Sequence, residues 1–319
     1  MSDARSPFRS PNLRNLRGTS STVNPDLPET PPIRPDLGPP SAGVQPVDQP
    51  SSGLGVIISV VVAALVFVLA ILATGRPTSN RIPMLQTTGT LYWVIGVVAV
   101  AVSAAGAQYA DRMAHKGDRI GGAGRSPDAF ATAWIVPSVA TAAAVILVAT
   151  FHSAAMMVVG PLVAFLGNAG ALFARDLLDD TTDPTQRTAV AIHSVVVHAV
   201  AFIAFSAIYL NKLPTAPLVV MVALVAGLLI LETLERGFAP REQRVLYSVI
   251  GAFVLGESAI ALNWWQTSGW TGGAVLLTLF YLASGVLLAA TQRQTMRGRD
   301  VIEFGLVSAA AFVILAGTA

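Results

Sequence analysis

From residue 54 onward the chain is one apolar run after another, each close to twenty residues long, and that length restricts its fold more than any other feature. A bilayer core is about 30 Å thick and a helix rises 1.5 Å per residue, so about 20 apolar residues cross it. Nine stretches meet that measure: 54–74, 89–109, 129–150, 154–174, 188–210, 215–235, 244–263, 271–291 and 301–318. Within lipid every backbone N–H and C=O must find its partner inside the segment, which selects helices for stretches of this length. The expected fold is all-α: a polytopic transmembrane helix bundle of about nine spans. Turn-forming residues separate the runs, among them Pro77 and Pro83, the glycines at 117–124, Pro184, Pro214, Pro240 and Gly269. Between the third and fourth runs the break at Phe151–Ser153 is slight; 129–174 is too long for one span and fits a tight hairpin.

Composition supports the same solvent. Charged residues are 12% of the chain, against roughly 25% for soluble domains. The remaining charge is concentrated at the start: residues 1–53 carry 10 charged residues, and 11 of the first 50 residues are proline. Such a segment buries too little apolar surface to offset its ordering entropy, so 1–53 is expected to be a disordered Pro-rich tail ahead of a transmembrane domain at 54–319. A secretory signal would place a short apolar core near the start; here the first run follows a long tail and is expected to be a retained span. A net charge of +2 without a basic block gives no support for nucleic acid as a partner, and the expected surroundings are the lipid bilayer. The chain has no cysteine, which removes disulfides, thiol nucleophiles and cysteine-held metals.

Cytoplasmic loops of membrane proteins are enriched in Lys and Arg. With nine spans, the loops after runs 2, 4, 6 and 8, together with Arg244 at the edge of run 7, carry 12 such residues, whereas the other side carries 3, namely Arg76, Arg81 and Lys212. A multi-pass protein of the cell membrane with its N-terminus cytoplasmic and its C-terminus external is the orientation this favours. Arg76 and Arg81 oppose it locally for span 1. Tyr92, Trp93, Tyr209, Trp264, Trp265 and Trp270 fall at the expected outer interface, where aromatic belts form.

An ionisable group inside a span costs roughly 2.5 to 3.5 kcal/mol on insertion scales, so each is a candidate for function. Glu257 and His198 lie at similar depth, about 20 Å and 15 Å from the inner edge by the helical rise. If their helices are neighbours, the two could share a proton as a relay or gate; a structural hydrogen bond is the plainer alternative. His193 precedes His198 by five residues, about 140° around the helix, so the pair does not form a metal-binding face. Asn168 and His193 fall at matching depth, which points to a polar layer between the fourth and fifth spans. The fourth span also has a small-residue stripe, Gly160, Ala164, Gly167, Ala171 and Ala174, expected to be a packing face, and Gly305 with Ala309 repeats the pattern in the last span. Charges at the inner loops, including Glu232, Glu235, Arg236, Arg241, Glu242 and Arg244, are expected to form a solvated headgroup face, with an ion-pair cluster as the alternative.

Enzyme signatures such as GxxxxGK[ST], HExxH and GxSxG do not occur, so no catalytic residue, cofactor or metal ligand is assigned. From Glu257 through Leu262-Asn263-Trp264-Trp265, and on to the acidic start of the last run at Asp300 and Glu303, the chain resembles a family of uncharacterised multi-span bacterial membrane proteins. The resemblance implies that Glu257, Asn263, Trp264 and Glu303 form one set. Taken with the depth matching above, the candidate polar site is Glu257, His198, His193, Asn168 and Asn263. The functional expectation is small-solute transport or permeation with an intramembrane Glu/His pair. The alternative is a non-catalytic scaffold or assembly subunit with a membrane-protein partner or a second copy of itself.

Overall fold

A computed structural model describes residues 51–73, 81–86, 88–118, 131–179, 183–235, 240–265 and 268–293, with scattered positions between 302 and 313. The expected tail, apart from Ser51–Gly53, and most of the ninth run lie outside these residues. Eight α-helices are described: α1 (Ser51–Leu72), α2 (Thr90–Asp118), α3 (Ile135–Phe151), α4 (Met156–Asp179), α5 (Asp183–Leu210), α6 (Thr215–Leu234), α7 (Arg241–Trp264) and α8 (Gly269–Arg293). One 3-10 turn, Pro83–Leu85, precedes α2. No strand occurs among the described residues.

Seven of the helices are long and apolar enough to cross a membrane, which makes this a multi-pass membrane protein. The eighth, α3, differs. It has 17 residues, so it rises only about 25 Å, and 13 of the 17 are buried. Of the about nine spans expected, the described residues hold seven long helices and this shorter interior one, and the ninth run lies mostly outside them. Helix α3 packs on α1, α2, α4, α5 and α6.

Close approach of neighbours is made possible by small residues. A Cβ on Gly167 would collide with the Cβ of Ala140, and one on Gly160 with the side chain of Val148, so α3 and α4 run antiparallel with almost no space between them. All five members of the α4 stripe are buried. Within lipid, association rests on van der Waals packing and interhelical hydrogen bonds, which reward such contact. On α8, Gly272 and Gly273 sit in the same way against Tyr209 and Ser206 of α5. Gly305, by contrast, meets nothing within 4 Å.

The turn between α3 and α4 is the hairpin expected from the 129–174 run. His152 adopts a left-handed backbone, φ 46°, and its N–H bonds the Val148 carbonyl, closing α3. Lys212 reverses the chain after α5 likewise, φ 44°. Pro137 is tolerated because it lies in the first turn of α3, where backbone N–H groups have no helical acceptor. Around these helices two large apolar clusters form, with a small third one at Ala107, Ala110 and Leu172. One fills the space among α1 to α4, with Val62, Val66, Leu69, Tyr92 and Val148; the other joins α3 to α5–α8, with Phe205, Leu229, Leu255, Leu276 and Phe280.

Candidate functional site

The ends of α2, α4 and α6 carry the basic loops, and at that end an ionic cluster is buried between helices. Arg175, in the last turns of α4, is its centre. Its Nε donates to Asp111 Oδ1 of α2 at 2.9 Å and its Nη1 to Glu232 Oε1 of α6 at 3.0 Å. A longer contact of 3.4 Å runs from Nη2 to Thr132 Oγ1, just ahead of α3. From α5, His193 Nε2 lies 4.0 Å from the same Glu232 oxygen. Gln108 Nε2 lies 3.5 Å from Asp111 Oδ2. Both carboxylate side chains are 3% exposed. One guanidinium thus joins α2, α4 and α6 and the approach to α3, using the fixed fork of donors that only arginine has, and α5 reaches the cluster through Glu232.

Helix periodicity explains why the side chains converge. On α4, Ala164, Asn168, Ala171 and Arg175 follow at four, three and four residues, so Arg175 continues the buried face. Likewise Val222, Ala226, Leu229 and Glu232 share the inner side of α6. Glu232 and Glu235 are not part of a solvated headgroup face as expected. Glu232 is 2% exposed, and Glu235 Oε2 accepts from Arg244 Nη1 at 2.6 Å with both side chains 7% exposed. That second pair fastens the α6–α7 hairpin.

About two helical turns deeper lies an uncharged layer. Ser103 Oγ donates to Asn168 Oδ1 at 2.6 Å, and Asn168 Nδ2 donates to Thr141 Oγ1 at 2.9 Å and to the Ala164 carbonyl at 2.8 Å. Thr141 Oγ1 in turn donates to the Pro137 carbonyl at 2.9 Å. Asn168 was expected to pair with α5 near His193. It instead joins α4 to α2 and α3, while His193 turns toward Glu232.

Glu257 and His198 share a depth but not a direction. His198 faces α8, edge-on to Phe280 and Tyr281 at 5.4 and 5.7 Å, and its Nδ1–H donates to the Ser194 carbonyl at 2.7 Å. Glu257 is exposed on the outward side of α7. Among the described residues no hydrogen bond or ion pair joins them, and at their depth α6 and α8, each of which packs on both, stand between α5 and α7, which meet only near their far ends through Tyr209. Asn263 Nδ2 donates to Thr215 Oγ1 at 2.9 Å, fixing α7 to α6 at the opposite end from the ionic cluster.

At that opposite end the 3-10 turn is held by Asn211, whose Oδ1 accepts from the Met84 N–H and whose Nδ2 donates to Thr150 Oγ1, both at 2.8 Å. His152 lies nearby, outside the spans. Burial pushes its imidazole below the usual histidine range, partly offset by a hydrogen bond to the Pro83 backbone. Tyr209 is buried and donates to the Leu262 carbonyl at 2.8 Å. Trp264, Trp265 and Trp270 are exposed, as interfacial anchors are. Among the described residues no group of three or more His, Asp and Glu side chains is placed to hold a metal ion.

Asp111, Arg175 and Thr132 are the members that sequence reasoning missed. Arg175 was counted only as a loop charge, although its spacing from Asn168 and Ala171 placed it on the packing face. No curated protein and no solved structure matches the chain. The profile of a family described as protein of unknown function, DUF5656, matches residues 78–317, well over half of the sequence, and the chain belongs to that family.

Proposed function

We propose that the protein moves a small solute across the membrane in a proton-linked way, and that Glu232, His193, Arg175 and Asp111 form its proton-handling site at the cytoplasmic end. The observation that carries this reading is that His193 and Arg175 approach one and the same oxygen, Glu232 Oε1, at 4.0 and 3.0 Å inside a buried cluster. Histidine is the side chain whose ordinary titration range spans physiological pH. A proton arriving on His193 creates a second cation competing for Glu232, with Asp111 ready to keep Arg175 on α2. Release of Arg175 from Glu232 would loosen α4 from α6 while leaving α4 on α2, which is the kind of two-state element a gate requires. The distribution of Lys and Arg, 12 against 3 across the loops, supports the cytoplasmic assignment of this end. All four residues fall within the family region.

The test is proton flux into proteoliposomes holding the full chain and a trapped pH dye, under a potassium diffusion potential, with amino acids and sugars supplied outside as probes. Wild type should acidify the lumen faster than protein-free vesicles, and His193→Gln should abolish the proton component while eluting as a monodisperse protein. Wild-type vesicles as proton-tight as empty ones under every probe would reject the proposal. A second reading, a non-catalytic membrane scaffold, draws on the Ser103–Asn168–Thr141 layer, whose polar groups are spent on one another and on carbonyls as a static assembly requires. Proton-tight vesicles together with a stoichiometric partner that survives detergent would favour it.

A further inference from the structure

Among the described residues, nothing packs over the outward side of α7. Leu246, Ile250, Phe253, Glu257, Ile260 and Trp264 all lie on it and all are exposed, Phe253 to 68% and Trp264 to 83%. Their spacing is four, three, four, three, four. Seven residues in two turns is the repeat of a left-handed helix pair, with these positions as the seam. The other side of α7, Gly251, Leu255, Gly256, Ala259 and Leu262, is buried and packs on α6 and α8.

Five members of the stripe are apolar and suited to lipid; Glu257 is not. It stands ~24 Å along the helix from Arg241 and ~10 Å short of Trp264, well inside the hydrocarbon layer and beyond the reach of its short side chain to either interface. Among the described residues it makes no hydrogen bond or ion pair. A carboxyl group in that position calls for a polar partner from outside the described chain.

We propose that this stripe is the contact between two copies of the protein, α7 against α7, with Glu257 facing its counterpart. A carboxylic acid is donor and acceptor at once, so two of them satisfy each other without a third chemistry. Copies in one membrane share an orientation, so a two-fold axis along the membrane normal sets α7 parallel to α7 and brings equal depths together. A single polar residue within an apolar seam fixes that register, as a buried polar position does in parallel coiled coils. This contact is independent of the ionic cluster on α4 and α6, so either assignment can fail without the other.

Because the natural chain has no cysteine, single-cysteine variants report the contact directly. Phe253→Cys and Ile260→Cys sit on the stripe; Val158→Cys on α4 and Val220→Cys on α6 are exposed controls elsewhere. Full-length variants are reconstituted at high lipid excess and oxidised with copper phenanthroline. The stripe cysteines should give a band at twice 33.2 kDa, formed about tenfold faster than from the controls, and adding Glu257→Leu should remove about that factor. Glu257→Gln, which still donates and accepts, should retain the cross-link. Stripe cysteines reacting no faster than Val158→Cys would overturn the proposal, as would a cross-link only to a protein of another mass. Cross-linking indifferent to Glu257→Leu would overturn it equally. Single-step photobleaching of labelled wild type in the same vesicles would do so without any variant.

Discussion

Replacing Arg175 by glutamine removes the one charge that Asp111 and Glu232 share. Both carboxylates are 3% exposed, so water cannot take over the role of the guanidinium. Deleting one partner of a buried ion pair costs about 3 to 5 kcal/mol, and here two carboxylates lose the same cation, so about 4 kcal/mol is expected. That corresponds to roughly a thousandfold fall in the ratio of folded to unfolded protein. Arg175→Lys keeps the charge but lacks the fork that reaches α2 and α6 together, and should lose about half as much. The triple change Arg175→Met, Asp111→Asn, Glu232→Gln removes every charge of the trio and should recover most of the loss, because the desolvation burden leaves with the ions. Reversible unfolding in mixed detergent–SDS micelles, followed by circular dichroism, measures each value. If Arg175→Gln fell within about 0.5 kcal/mol of wild type, as surface substitutions do, the cluster would not be a buried clamp.

Two glycines with different neighbours should diverge. Gly167→Ala drives a Cβ against a backbone-borne methyl, Ala140 Cβ, and should cost about 1 to 3 kcal/mol; Gly251→Ala meets the end of the flexible Ile230 side chain and should unfold within about 1 kcal/mol of wild type in the same assay. Asn168→Leu breaks the layer linking α2, α3 and α4 and should cost about 1 to 2 kcal/mol, with Ser103→Ala adding little on top because the two share one bond. At His152 the fold favours the neutral imidazole, so its stabilisation is complete above pH 6.5 and declines as pH falls below that value. A melting series between about pH 5 and 8 should show the decline in wild type and a flatter profile in His152→Gln.

Span length and loop chemistry made most of the architecture readable in advance. The ends of α5 to α7, the hairpin at Phe151–Ser153 and the packing stripe on α4 all followed from apolar run length, turn residues and helical spacing, whereas α5 and α7 begin five and three residues earlier than their apolar runs. What run length could not convey is whether a run faces lipid or protein: α3 is as apolar as its neighbours yet lies inside them. The site was harder to read for a related reason. Depth along a helix can be counted from sequence, which matched Glu257 to His198, but contact also requires direction around each axis. Gly251, Leu255 and Ala259 marked the packing side of α7 and set Glu257 opposite to it. Arg175 and Glu232 were obscured because charge counting treats every span-end ion as facing the headgroups, whereas their spacing from Ala171 and Leu229 turns them inward.

The enclosure of α3 has a consequence for how the protein is made. Chains leave the ribosome N-terminus first, so α3 enters the bilayer before α4, α5 and α6, three of the helices that finally enclose it, have been translated. In that interval Thr141 and Ser138 are without the neighbours they have in the finished protein, in a segment too short to span comfortably. Arrest of synthesis after α4, compared with arrest after α6, should therefore leave a single cysteine introduced into α3 open to aqueous alkylating reagents at the first stage and closed to them at the second, making its burial a late event in biogenesis.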